Sequence, residues 1–364
     1  MKTEVTLLQI LPRAPADCGG VGDYAGLLAA RLREWHGIDS TFLSAAPACS
    51  QTADGFSVLF PLRAALDFVD HKPALLLHYV NYGYGQRGAP PGLPSLLRRL
   101  KRASESQLVT IFHELYAAGT WRQSAFWLRP VQREIVRAIA RLSFTSIVSN
   151  EIQGAQLERL APGANIILQP VSSNFGEPAR VLSERDPGRW IICGGNELIE
   201  RSLDSFSQNA SFVPSPYPPR ELFVVGGTAR QAIRARLSEL KQTRTYYHPE
   251  VDARVAGEIL STCTFAWIDY FHRSNVPLAT ILKSSVFAAF CAHGVIPVFP
   301  HDGSPIHLRQ DVMPGPFFVT HLRQHLPAER ERGTVAQSLH DWYQRNASWQ
   351  HLTDSVVKAI RISG

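Results

Sequence analysis

The chain has 364 residues, 45% of them hydrophobic and 19% charged, with 25 glycines and 25 prolines scattered along it. This composition excludes disordered, collagen-like and fibrous classes, and the length exceeds what one hydrophobic core usually organises, so two domains are expected. A net charge of +6 without a basic tail or an aromatic-interleaved basic stripe favours an anionic ligand over nucleic acid, and five widely spaced cysteines with no Cys-x-x-Cys pair argue against a disulfide framework or a structural zinc site.

The opening Met1-Lys2-Thr3-Glu4 lacks the apolar core of a signal peptide, and no apolar run approaches a membrane span, so a cytoplasmic location is expected. Residues 5–11 read as a strand, after which Tyr24, Leu27, Leu28 and Leu32 recur at helical spacing. Further strands are expected at 41–43, 74–80, 108–112, 145–149 and 166–168, with helices at 95–103, 124–140 and 151–160. Alternation of this kind builds a parallel sheet covered on both faces. Around 176–188 Pro, Ser, Gly and charged residues interrupt the pattern and read as a linker. A second series follows, with strands at 190–193, 221–225, 245–247, 265–268 and 295–299, and helices at 229–240, 253–262, 284–293, 335–345 and 353–362. The expected fold class is α/β: two Rossmann-like doubly wound domains facing a cleft, spanning 1–175 and 189–345, with a C-terminal helix within 346–364 packing back on the first. Ligands in such sheets bind at the carboxyl ends of the strands.

Several motifs fall at those ends. Cys18-Gly19-Gly20-Val21-Gly22-Asp23-Tyr24 leads into the first helix, where adjacent glycines let the backbone approach a ligand and the helix start offers N–H groups to an anion. Gly20-x-Gly22-x-x-Ala25 also has dinucleotide spacing, although Pro12 to Cys18 separate it from the strand; a structural turn is the third reading. Phe112-His113-Glu114 closes a strand, so His113 can shuttle a proton or donate to a developing anion, or simply bond a backbone carbonyl. In His78-Tyr79-Val80-Asn81-Tyr82-Gly83-Tyr84-Gly85, the amide and aromatic groups could line a sugar site or pack the loop on itself. Val225-Gly226-Gly227-Thr228, with Arg230 beyond it, could hold phosphate, and Gly194-Gly195-Asn196 repeats the theme. Lys283-Ser284-Ser285 starts a helix and offers either an anion site or ordinary capping. There is no Gly-x-Ser-x-Gly elbow and no Asp-x-Asp pair, so neither a hydrolase serine nor a carboxylate-held divalent metal is expected. The densest basic run, Arg98-Arg99-Leu100-Lys101-Arg102, is a solvated helix face or a contact for an anionic membrane surface.

The order and spacing of these pieces resemble the GT-B glycosyltransferases, and within them the large retaining group called family 4, over nearly the whole chain. The family's Gly-Gly loop resembles Gly19-Gly20-Val21-Gly22, and its Thr-x-His strand end resembles Thr110-Ile111-Phe112-His113. Its Pro-Val-x-Ser-Asn is similar to Pro170-Val171-Ser172-Ser173-Asn174, its Val-Gly-Gly to Val225-Gly226-Gly227, and its Ala-x-Gly-x-Pro-Val to Ala292-His293-Gly294-Val295-Ile296-Pro297-Val298 with one residue inserted.

The resemblance implies a nucleotide-sugar donor held mainly by the second domain, an acceptor held by the first, and retaining transfer in the cleft without a metal or cofactor. By position it implies catalytic roles for His113 and Glu114. It places Gly19, Gly20, Gly22, Gly226, Gly227, Arg230, Lys283, Ser284 and Ser285 at the donor phosphates, and Tyr247, His248 and Val251 at the nucleobase. Asp23, Asn81, Tyr82, Tyr84 and Asn174 fall on the acceptor or sugar side. Two glutamates that the family sets eight positions apart correspond here to Ile281 and Ala289, and its Arg and Lys pair is replaced by Asn196, Glu197 and Arg201. A catalytically degenerate sugar- or partner-binding protein is therefore the alternative, and a nicotinamide enzyme is a third reading that rests on the glycine spacing alone.

Overall fold

A computed structural model describes residues 6–15, 20–47, 50, 52–60, 72–117, 124–182, 184–271 and 276–361, which form two compact units, 1–169 with 349–364 and 170–348. In the first unit, β1 (Thr6–Leu11), β2 (Asp39–Ser44), β3 (Thr52–Ala53), β4 (Phe56–Leu59), β5 (Ala74–Tyr79), β6 (Leu108–Phe112), β7 (Thr145–Val148) and β8 (Ile166–Leu168) form one sheet in the order β3-β4-β2-β1-β5-β6-β7-β8. Only the β3–β4 pairing is antiparallel. Leu7, Leu8, Ile10, Leu75, Leu76 and Leu77 are fully buried, as strands covered on both faces require.

Helix α1 (Gly20–His36) buries Tyr24, Ala25, Leu28, Ala29 and Leu32. It stops at Gly37, whose φ of +63° lets Gly37 N and Ile38 N turn back to the carbonyls of Arg33 and Leu32. The β3–β4 hairpin turns through Asp54 and Gly55, both at positive φ as a type I′ turn demands. Helix α2 (Leu93–Ser104) packs against the helix over Arg129–Leu142. The helix expected over 124–140 is two, α3 (Ser124–Trp127) and α4 (Arg129–Leu142), because Pro130 cannot donate to the preceding turn. Asn150 caps α5 (Glu151–Leu160) by accepting from Gln153 N at 3.0 Å.

The second unit has β9 (Arg189–Cys193), β10 (Glu221–Val225), β11 (Arg244–His248), β12 (Phe265–Trp267), β13 (Ile296–Phe299), β16 (Phe317–Val319) and β17 (Gln324–His325) in the order β11-β10-β9-β12-β13-β16-β17, parallel up to the antiparallel last pair. A small hairpin, β14 (His307–Leu308) and β15 (Asp311–Val312), stands apart from it. Helices α6 (Asn196–Asn209), α7 (Gln231–Glu239), α8 (Ala253–Thr262), α9 (Ser285–Ala292) and α10 (Arg332–Asn346) complete the unit, while α11 (Trp349–Arg361) packs on α1 in the first unit. Its core is aromatic: the Trp190 and Phe265 rings lie 4.8 Å apart and Phe206 meets Trp267 edge-on at 5.5 Å.

Residues 176–188, expected as a linker, are bonded into the second unit. Arg185 donates to the carbonyls of Cys263, His293 and Gly294, and Ser173 Oγ donates to Gly176 O. No helix among the described residues is long and apolar enough to cross a membrane.

Candidate functional site

Each sheet has one point where the chain leaves a strand to opposite sides, and ligands of doubly wound sheets bind at the carboxyl ends there. In the first unit that strand is β1, flanked by β2 and β5. Strand order brings together three polar side chains from β1, β5 and the residue after β6. Gln9 Nε2 donates to Ser40 Oγ at 3.0 Å, His78 Nε2 lies 2.9 Å from Gln9 Oε1, and His78 Nδ1 lies 3.2 Å from His113 Nε2. Gln9, Ser40 and His78 are buried and His113 is half-buried. Burial holds the His113 imidazole down at about 4, and burial followed by the neighbouring His113 holds His78 well below its ordinary value, so both rings are neutral at pH 7.

The backbone fixes His113 too: its N–H donates to Tyr79 O at 2.9 Å and its carbonyl accepts from Gln153 Nε2 at 3.3 Å. Tyr24 of α1 meets the His113 ring edge-on at 5.4 Å, and Trp349, the first residue of α11, lies 4.8 Å behind Tyr24.

Other expected residues of this unit have varied surroundings. A Cβ on Gly22 would sit 2.8 Å from Ala14 O, so this glycine serves the packing of the helix start on its own loop; a Cβ on Gly20 would meet nothing within 4 Å. Gly19 lies outside the described residues. Partial burial, then the Asp54 carboxylate, raises the Asp23 carboxyl above its ordinary value. Tyr84 OH donates to Ile10 O at 2.9 Å and lies 2.8 Å from His78 O, bridging β1 and β5. Asn81 is fully buried with both side-chain heteroatoms unpartnered among the described residues, Tyr82 is exposed, and Glu114 is half-buried beside His113. Asn174, expected on the acceptor side, belongs to the second unit.

In the second unit the divergence is at β9, between β10 and β12. Gly226 N donates to His248 O and Gly194 N to Val225 O, while Asn196 Oδ1 accepts from Thr228 N at 3.1 Å and Asn196 Nδ2 donates to Thr228 Oγ1 at 2.7 Å. The two Gly-Gly loops are thereby laced into one platform, completed by Glu250 N donating to Gly227 O. A Cβ on Gly226 would lie 2.7 Å from Gly194 O. Gly195, the N-cap of α6, supplies no side-chain acceptor to the first turn. Tyr247 OH donates to Thr228 O at 3.0 Å and so braces this loop; His248 stacks along Phe223, and Val251 is half-buried after β11.

The cations near the platform are engaged within the protein: Arg230 pairs with Glu200 at 3.1 Å, and Arg201 donates to the carbonyls of Asp269 and Tyr270. Lys283, Ser284 and Ser285 sit on the other side of β9, ahead of α9, where Ser284 Oγ accepts from Phe287 N at 3.3 Å in the capping role. Ile281 and Ala289 are fully buried core residues. Among the described residues no three His, Cys, Asp or Glu side chains converge as metal ligands.

Sequence reasoning passed over Gln9 and named His78, Asn196 and Thr228 only as members of loop motifs, without a site role of their own. Gln9 and His78 carried a signal, since each is a lone polar residue inside a strand of leucines and must find a partner when buried.

No protein-family model and no curated protein matches the sequence. Solved structures match in fold. Sucrose-phosphate synthase from Thermosynechococcus elongatus is 15% identical, with a TM-score of 0.59 over 98% of both chains. HepE from Anabaena, in complex with UDP-glucose, is 10% identical, with a TM-score of 0.57 over 98% of this chain and all of that one. WaaG, a glycosyltransferase involved in lipopolysaccharide biosynthesis, is 11% identical, with a TM-score of 0.54 over 97% of this chain and 99% of that one. The two parallel-sheet units therefore have the architecture of the GT-B glycosyltransferases.

Proposed function

We propose that this protein is a glycosyltransferase that moves a sugar from a nucleotide-sugar donor to an acceptor, with retained configuration and without a metal or cofactor. The observation that supports this most is the fold likeness over 97–99% of the chain to sugar-transferring proteins, among them structures that contain UDP or UDP-glucose. In this reading the Gly194-Gly195 and Gly226-Gly227 platform receives the donor diphosphate at the open start of α6, and His113 stands at the sugar. Backbone N–H groups of the platform and of the start of α6 would offset charge on the leaving diphosphate, which is electrostatic catalysis. In this reading the donor is held by other groups than the family's glutamates, since Ile281 and Ala289 at those positions are buried core residues.

UDP, GDP, ADP and dTDP are each to be titrated by calorimetry and thermal shift, with magnesium and with EDTA. The expected outcome is that one nucleotide binds and raises the melting temperature equally in both, since a ligand at a hundred times its Kd adds about 2.7 kcal/mol. Silence with all four would leave the degenerate binding protein as the better reading.

The same reading includes peripheral contact with an anionic membrane surface through α2. Arg98, Arg99 and Arg102 are exposed there, whereas Lys101 is committed to Leu142 O at 2.9 Å. Each basic side chain near such a surface contributes about 1 kcal/mol, so changing the three arginines to glutamate is expected to weaken binding to phosphatidylglycerol vesicles at least a hundredfold. Unchanged co-sedimentation would remove the contact from the proposal.

A further inference from the structure

The histidine pair at the carboxyl edge of the first sheet carries an inference about direction. Gln9 Nε2 donates to Ser40 Oγ, which leaves Gln9 Oε1 as the acceptor facing His78 Nε2. His78 is fully buried, so that nitrogen must carry a hydrogen, and its Nδ1 then presents a lone pair. His113 Nε2, 3.2 Å away, can satisfy that lone pair only as N–H. The Tyr24 ring and the two backbone bonds fix the His113 ring in this pose. Among the described residues, His113 Nδ1 has no hydrogen-bond partner.

We propose that Gln9 and His78 are positioning residues that lock His113 in its Nε2–H tautomer, so that His113 Nδ1 meets the bound ligand as a hydrogen-bond acceptor and selects a hydroxyl group. A neutral imidazole nitrogen with a lone pair accepts from a hydroxyl and repels a phosphate oxygen, which has nothing to donate. The ligand group at this edge is thus an alcohol of a sugar or acceptor, and the diphosphate is held elsewhere. The assignment to a sugar or acceptor rests on the glycosyltransferase reading; the tautomer lock does not.

The test uses the full chain labelled with ¹⁵N-histidine at pH 7.5, with the His113 signals identified by their loss in His113→Ala. The expected spectrum has His113 Nε2 at a protonated shift and Nδ1 at an unprotonated one. The opposite assignment, with the hydrogen bonds running from Gln9 towards His113, overturns the proposal, and this measurement needs no variant of Gln9 or His78. In His78→Leu, the His113 signals are expected to move to the average of both tautomers. In His78→Asn, whose Oδ1 keeps an acceptor near the position of His78 Nδ1, the wild-type pattern is expected to return. A His113 tautomer unaltered in a folded His78→Leu overturns the lock. Addition of inorganic phosphate to the wild type is expected to leave His113 Nδ1 unmoved, and a saturable shift there overturns the hydroxyl preference. Nucleotide binding is measured separately, so a failure of the glycosyltransferase reading leaves the tautomer result standing, and the reverse.

Discussion

Gly226→Ala is expected to destabilise the second unit by about 3 kcal/mol and to abolish binding at the glycine platform. Two costs combine. At φ +99° the backbone occupies a region that residues with a Cβ avoid, which costs roughly 1–2 kcal/mol. The added carbon would also stand 2.7 Å from Gly194 O, which is backbone and cannot rotate away, and forced overpacking of this kind costs about 1–3 kcal/mol. Gly195 is the internal comparison: it has an ordinary φ of −76°, and a Cβ there would meet nothing within 4 Å. Gly195→Ser is therefore expected to be neutral or to stabilise by about 0.5 kcal/mol, because serine supplies the missing N-cap acceptor. Urea unfolding followed by near-ultraviolet dichroism compares the two. Equal midpoints would mean that the platform tolerates a side chain and that its geometry does not depend on Gly226.

Lowering the pH from 7 to 4 is expected to remove several kcal/mol of stability, with neutral histidines rather than carboxylates as the cause. Burial holds His113 and His293 at about 4 in the folded chain, and His78 is also held low, whereas an unfolded histidine titrates near 6.5. Between those values the unfolded chain binds more protons than the folded one, so stability rises with pH across the window. The contribution is complete above about 6.5 and lost as pH falls towards about 4. For His293, buried with Nε2 donating to Phe175 O at 3.1 Å, it is on the order of 3 kcal/mol; for the half-exposed His113 it is smaller. The measurement is the unfolding free energy at pH 7, 6, 5 and 4. His293→Gln is expected to reduce the slope near pH 5.5 by about one proton for the second unit, and a wild-type curve flat from 7 to 5 would contradict the assignment.

Much of the fold was legible because buried parallel strands are short apolar runs between helical repeats. The ends of β5, β6, β10 and α8 fall within one residue of those read from the sequence. The missed elements had physical reasons. Helix α6 is rich in Asn, Ser and Asp, which favour turns when taken in isolation. In place, Ser205 Oγ accepts from the Trp267 indole at 3.0 Å and Ser202 Oγ accepts from Asp269 N at 3.1 Å, so its serines are core residues chosen by partners far away in sequence. The β3–β4 hairpin announced itself in Asp54-Gly55, but strands of two and four residues carry too little periodicity to be seen. The glycine loops showed in the sequence because glycine is needed wherever it stands at such φ. The Gln9–His78–His113 relay did not, since it exists only once strand order sets β1 and β5 side by side with β6 beyond.

The helix that begins at Trp349 makes the first unit discontinuous in sequence: residues 170–348 are an insertion between its two pieces. During synthesis the whole of that insertion is made before Trp349 exists to stand behind Tyr24, and domains fold as units once their sequence is available. The sequence of the second unit is therefore complete before that of the first. The ring of Tyr24, and with it the seat of His113, acquires its backing only when the last helix arrives, so assembly of the molecule runs against its reading direction.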